Sequence, residues 1–247
     1  MKLYLIRHAE SANNAIYSSN GDEDGRSPDP EITEIGHKQA ALLGKHLANP
    51  VGEPRQHPFE KIDDHSFGLT HLYCSLMTLS ILTSGYIAET CGLQRVAHPD
   101  IFEKGGIYQI QPDRSKQGLP GPGRDYFEQR FPDLVLPNNV SAEGWYNRPA
   151  EAVEPFVKRV KNVVSDIRER HEHTNDVVGM VVHGDFIDQF VNELLNVDRN
   201  PHNYAKRWVA NWAFHNTSIS RIDFTDGAHT VLYLNRIDHL PAELITW

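Results

Sequence analysis

The chain has 247 residues, a formal net charge of −9, and 39% hydrophobic against 23% charged residues. This suits one globular α/β domain, 1–247, with an inserted segment, and argues against disorder. The acidic balance speaks against generic binding to a nucleic-acid backbone. No apolar run reaches the 18 residues of a membrane span, and the N-terminus enters the first strand at once, leaving no room for a signal peptide.

That strand is Leu3-Tyr4-Leu5-Ile6, a short apolar run that reads as buried on both faces and ends on Arg7-His8. In open α/β sheets the C-terminal strand edge is where ligands bind. On this run alone, His8 reads equally well as an ordinary hydrogen-bonded strand-end histidine, and Arg7 as a surface charge. Residues 11–30, rich in Ser, Asn, Gly, Asp and Pro, read as a long loop carrying Asn14. Thr33 is the expected N-cap of a helix with Leu42, Leu43 and Leu47 on its apolar face, stopped by Pro50. Residues 50–68 read as a loop. A strand is expected at Thr70–Ser75, a helix from Leu76 to Cys91 before Gly92, and a short strand over 96–100.

Ile101-Phe102-Glu103-Lys104-Gly105-Gly106 follows, and then the character changes. Residues 104–149 are dense in Gly and Pro with poor periodicity. They read as an inserted cap or lid, with a short helix over 124–131. The longest amphipathic pattern spans 150–171. Val177–Val182 reads as a buried strand ending on His183-Gly184, and a second amphipathic helix follows. Two last strands, 218–224 and 230–235, flank an Asp226-Gly227 turn. Alternating strands and helices predict a three-layer α/β/α fold with a mostly parallel sheet. Cys74 and Cys91 form no CxxC pair and read as reduced thiols of a cytoplasmic protein. The 14 histidines show no HExxH pattern, and neither a metal nor another cofactor is expected.

The chain thus ends an apolar strand on histidine twice, at His8 and about 175 residues later at His183. In a parallel sheet both ends lie on one edge, so the two imidazoles can face each other. Arg7 supplies a planar fork for phosphate or carboxylate. His183-Gly184 opens a helix whose N–H groups point to the same place. Such a set suits a dianion, with one imidazole as nucleophile. Proton donation to a leaving oxygen calls for a carboxyl group; Glu103, between an apolar pair and a Gly-Gly turn, is the candidate, with a plain solvated glutamate as the alternative.

The runs LIRHAES, ITEIGHKQA, THLYCSLMTLSILTSGYIAE, IFEKGG, VVHGD, NTSISRIDF and LNRIDHL resemble the histidine phosphatase superfamily, also called phosphoglycerate mutase-like, in the right order and across all but the cap. The resemblance implies that His8 is phosphorylated, that Arg7, Asn14 and the Gly184 N–H hold phosphate, that His183 is the second pocket histidine and that Glu103 donates the proton. Ala9 stands in place of the family's usual glycine. The family pattern also has a serine, an arginine four residues on and a threonine four further. Ser75 and Thr83 keep this frame, but the arginine position is Leu79. The chain is then a weakened or inactive relative, or a cap cation (Lys104, Arg114 or Arg124) fills the gap, or the leucine is an introduced substitution.

The expected activity is that of a phosphomonoesterase acting on a small phosphorylated substrate. The alternatives are a phosphoglycerate mutase, which would need a basic cluster among Arg114, Lys116, Arg124, Arg130 and Arg148, and a non-catalytic anion-binding relative. Neither a nucleic acid nor a membrane is an expected partner, and a homodimer is compatible with the sequence.

Overall fold

The computed structural model describes residues 1–49, 67–196 and 211–247. Its centre is a seven-stranded sheet in the order β6-β3-β2-β7-β1-β8-β9, built from β1 (Lys2–Arg7), β2 (His71–Ser75), β3 (Arg95–His98), β6 (Leu134–Val135), β7 (Val177–Val182), β8 (Ile219–Thr225) and β9 (Ala228–Arg236). The first five run parallel. β8 pairs antiparallel with β1, and β9 with β8. The α/β expectation holds, with an antiparallel edge.

β1 shows why a continuous apolar run is needed. Leu3 and Leu5 pack with α5 (Val153–His171) and α6 (Gly184–Leu194) on one face. Tyr4 and Ile6 pack with α2 (Glu34–Ala48) and α3 (Thr78–Cys91) on the other. A half-buried strand would alternate instead. The register pairs Arg7 with Val182, so His8 and His183, one residue on, leave the sheet side by side. The β8–β9 turn places Asp226 (φ 49°) and Gly227 (φ 80°) in the left-handed region, as a two-residue hairpin turn requires.

Two parts depart from the sequence reading. Residues 11–30 are not all loop, because α1 (Ala12–Asn20) forms there. It buries no residue, so no apolar stripe announces it; a reciprocal capping box between Ser11 and Asn14 holds its start. Within 104–149, besides α4 (Arg124–Arg130), lie the hairpin β4 (Tyr108–Ile110) with β5 (Lys116–Gly118), and β6, which adds an edge strand to the main sheet. Strands of two or three residues are too short for period-2 patterning to show. The Pro50 stop and the loop reading over 50–66 lie outside the described residues.

Candidate active site

His8, Arg7, Asn14, Leu79, Glu103, His183 and Gly184 all line one cavity of about 750 Å³ at the C-terminal edge of the parallel strands. These seven residues, which the sequence singled out for catalysis and phosphate binding, are brought together there.

His8 and His183 face each other with ring centroids 5.2 Å apart. His8 Nδ1 lies 2.7 Å from the Ala9 carbonyl oxygen, which can only accept, so Nδ1 carries the ring proton and Nε2 keeps its lone pair. Burial, reinforced by Arg7, pushes the His8 pKa down to about 3, so the ring is neutral at ordinary pH. His183 is held well below the usual histidine range by burial, then by His8, Arg159 and Arg7. The His8 backbone is fixed from three sides. Its N–H donates to Val182 O (2.9 Å), and its carbonyl accepts from Thr217 N (3.2 Å) and Asn216 Nδ2 (3.2 Å). The Ala9 N–H donates to Thr83 Oγ1 at 3.0 Å, so the threonine that keeps the sequence frame anchors the turn after the histidine.

Arg7 donates through Nη1 to the Phe214 carbonyl, while its Nε is buried without a protein partner. His183 Nε2 is likewise buried and unpartnered. Two orphaned polar atoms on one cavity wall would each cost about 1–3 kcal/mol in an empty site, and a bound anion removes that cost. Burial lowers the Arg7 pKa to about 10 against the pull of Glu103 and Asp185, which leaves the guanidinium charged at neutral pH.

Glu103 caps the helix that His183 introduces. Its Oε1 accepts from Lys104 N (2.8 Å) and Phe186 N (3.2 Å), and its Oε2 from Asp185 N (3.2 Å). Burial and the Asp185 charge push its pKa up to about 7, outweighing those N–H donors and Arg7, which pull it down. Glu103 is thus half-buried and held by three backbone N–H groups, unlike a plain solvated glutamate. Asn14 uses its Oδ1 structurally, accepting from Ser11 N, Ser11 Oγ and Asn216 Nδ2, and keeps its Nδ2 as the donor it can offer.

Leu79 is 4% exposed and presents hydrocarbon where the family pattern has a guanidinium. Of the cations expected to fill that gap, two are elsewhere. Arg114 pairs with Asp24 on a separate surface depression. Arg124 is tied to the Val140 and Pro137 carbonyls and to Glu128. Lys104 does line the cavity, bridged to Asp185 at 3.3 Å. Two further cations stand on the wall, Arg26 and Lys116, both against the Tyr108 ring at 4.0 and 4.3 Å from its centroid. Arg26 went unread in the sequence because it sits in a polar stretch without a pattern. Asn216 was visible only within the NTSISRIDF run.

Buried imidazoles, a guanidinium, a helix N-terminus and a carboxyl group with a raised pKa form an arrangement that can hold a dianion beside a group able to give up a proton. The chain belongs to the histidine phosphatase superfamily (branch 1), whose sequence pattern it matches over residues 60–237. It is 27% identical over 242 residues to phosphoserine phosphatase 1 of Hydrogenobacter thermophilus, covering 97% of this chain and 94% of that protein. It is 30% identical over 113 residues to a protein of Yersinia pestis (strain Pestoides F) named probable phosphoglycerate mutase GpmB, covering 45% of this chain and 42% of that one. A mutant phosphoserine phosphatase from Entamoeba histolytica, solved with phosphoserine, has the same fold (TM-score 0.56, 18% identity, 97% of this chain and 99% of that). So has a mycobacterial glucosyl-3-phosphoglycerate phosphatase (TM-score 0.55, 14% identity, 95% and 98%).

Proposed function

We propose that this protein is a phosphomonoesterase that works through a phosphohistidine at His8 on a small organic phosphate. The observation that carries the reading is the pair of unpartnered buried nitrogens, Arg7 Nε and His183 Nε2, beside a histidine whose Nε2 lone pair is held free. Full coverage by a phosphoserine phosphatase relative supports phosphatase chemistry.

His8 Nε2 attacks phosphorus in line with the ester oxygen. Arg7, His183, the Gly184 N–H and Asn14 Nδ2 hold the three equatorial oxygens as the P–O bond breaks. Glu103 gives its proton to the departing alkoxide, and its pKa of about 7 lets it carry that proton at neutral pH. The carboxylate so formed then takes a proton from the water that attacks the phosphohistidine. Phosphate leaves, and His8 and Glu103 return to their starting states.

A mutase reading asks for a basic cluster in the cap. Of its five candidates only Lys116 lines the cavity. Arg130 pairs with Glu31, and Arg148 lies against Phe102 and Tyr146 on a different depression. A weakened or anion-binding relative is the second reading, favoured by the apolar wall at Leu79. Rapid-quench reaction with p-nitrophenyl phosphate tests both. We expect a burst of nitrophenol and acid-labile phosphate on the wild-type chain, absent from His8→Ala. Equal labelling of the two would refute the phosphohistidine route. Vanadate binding without any turnover would favour the second reading.

A further inference from the structure

At the sheet edge opposite the cavity, the fold gathers His71, His171 and Asp176, whose potential ligand atoms all lie within 4.8 Å of one another. The three come from separate places: His71 opens β2, His171 ends α5, and Asp176 immediately precedes β7. No spacing pattern in the sequence connects them. His171 Nδ1 is 2.7 Å from Asp176 Oδ2, and His71 Nδ1 is 3.9 Å from Asp176 Oδ1. The two rings meet edge to face at 4.9 Å.

We propose that these three side chains form a zinc site that ties the C-terminus of α5 to the starts of β2 and β7. Two imidazole nitrogens and one carboxylate, with water in the fourth position, are a donor set that zinc accepts. Bonds of about 2.0–2.2 Å place tetrahedral ligand atoms about 3.3–3.5 Å apart. Binding must therefore open the 2.7 Å pair between His171 and Asp176 and bring His71 to the same carboxylate oxygen. His71 can make that move. Its side chain is 41% exposed, and it gives up only a contact between Nδ1 and Thr70 Oγ1.

The second ring is already oriented. His171 is buried, and its Nε2 lies 3.1 Å from the Tyr73 hydroxyl, which keeps Nδ1 turned toward Asp176. Metal-ligating histidines almost always have such a partner on the far nitrogen. His171 Nδ1–H now donates to the Asp176 carboxylate, and Tyr73 Oη–H donates to Nε2. Ligation needs the lone pair at Nδ1. The ring proton therefore passes to Nε2, and Tyr73 Oη turns from donor to acceptor. The side chains of Asp176 and His71 reach solvent, which provides the way in.

The test is equilibrium dialysis of the full chain against Zn²⁺ with metal analysis of the protein. We expect one equivalent per chain, retained in the His8→Ala/His183→Ala double variant. His71→Ala and Asp176→Asn should weaken it at least about 100-fold, and Tyr73→Phe about 10- to 100-fold through the far ring nitrogen. His71 is half-exposed, so its variant tests ligation without opening the core. Absence of stoichiometric zinc would overturn the proposal. So would zinc that follows His8 and His183 and survives His71→Ala.

Discussion

The sharpest test of the cavity is Leu79→Arg. Leu79 is the second residue of α3 and is buried on the cavity wall near Arg7, His8 and His183. In the proposed function the wild-type site opposes a dianion with Arg7, two imidazoles and N–H donors, with Arg26, Lys104 and Lys116 also on the cavity wall. Removing one preorganised donor from a charge-stabilising site costs about 2.7–4 kcal/mol of transition-state stabilisation, so adding one gains a similar amount. Against this, a cation in the first turn of a helix faces the positive end of the dipole, at about 0.3–1 kcal/mol. The remainder, about 1.7–3.7 kcal/mol, converts to a gain of about 20- to 500-fold in kcat/KM. The assay is steady-state hydrolysis of p-nitrophenyl phosphate, with Leu79→Met as the control for shape. Tm should be measured with and without vanadate, because the unliganded variant holds two buried cations and is expected to be the less stable form until an anion binds. The reasoning fails if Leu79→Arg is folded and binds vanadate, yet its kcat/KM stays within about threefold of wild type.

Glu103→Gln should slow phosphoryl transfer from alkyl phosphates by about 10²–10⁴ while sparing the burst from an aryl phosphate with a good leaving group, since only the former needs the proton in that step. For wild type, the rate of phosphoryl transfer from an alkyl phosphate should fall as pH rises through about 7, where Glu103 loses that proton; an unchanged rate at pH 8.5 would remove Glu103 as the acid. On the stability side, burial holds His239 neutral to about pH 3, whereas an unfolded histidine takes a proton near 6.5. The unfolded state thus binds more protons below pH 6.5, and this residue's share of stability is lost as pH falls from there. His239→Gln should flatten stability against pH between 6 and 4 by up to one proton's slope, about 1.4 kcal/mol per pH unit, as read from urea unfolding at each pH.

The parts of this protein that the sequence made legible are those where one physical demand acts on a contiguous run. β1 and β7 are covered on both faces, so Leu3–Ile6 and Val177–Val182 are apolar throughout, and a polar residue at the end of each had to be exceptional. That logic placed His8 and His183 side by side, and the Arg7–Val182 pairing confirms their adjacency. What remained hidden depends on contacts between residues far apart in the chain. α1 buries nothing and survives on its capping box, so no periodicity marks it. Arg26 reaches the cavity wall only because its Nη1 donates to the Tyr108 carbonyl, 82 residues away, at 2.9 Å.

The same distinction explains the two helix ends that meet at the site. α3 and α6 both lack a side-chain cap from their own N-cap residues, Met77 and His183. Each takes a carboxylate from a distant segment instead. Asp29 accepts from Thr78 N at 2.9 Å and Thr78 Oγ1 at 2.7 Å, and Glu103 accepts from Asp185 N and Phe186 N. Burial raises both acids, Asp29 to about 6 and Glu103 to about 7. These carboxylates therefore sit between two demands: the helix N–H groups favour the anion and the buried setting favours the acid. For Asp29 the compromise serves position alone, since it holds the turn that carries Leu79. For Glu103 it has a chemical consequence. A proton held near pH 7 by opposed forces can be given up at little cost, because the helix N–H donors are already in place to receive the carboxylate that remains. Capping and proton donation are then one property of Glu103. A substitution that merely preserves its shape, such as Gln, should keep the Oε1 contacts to Lys104 N and Phe186 N, give up the acceptor facing Asp185 N and lose the acid.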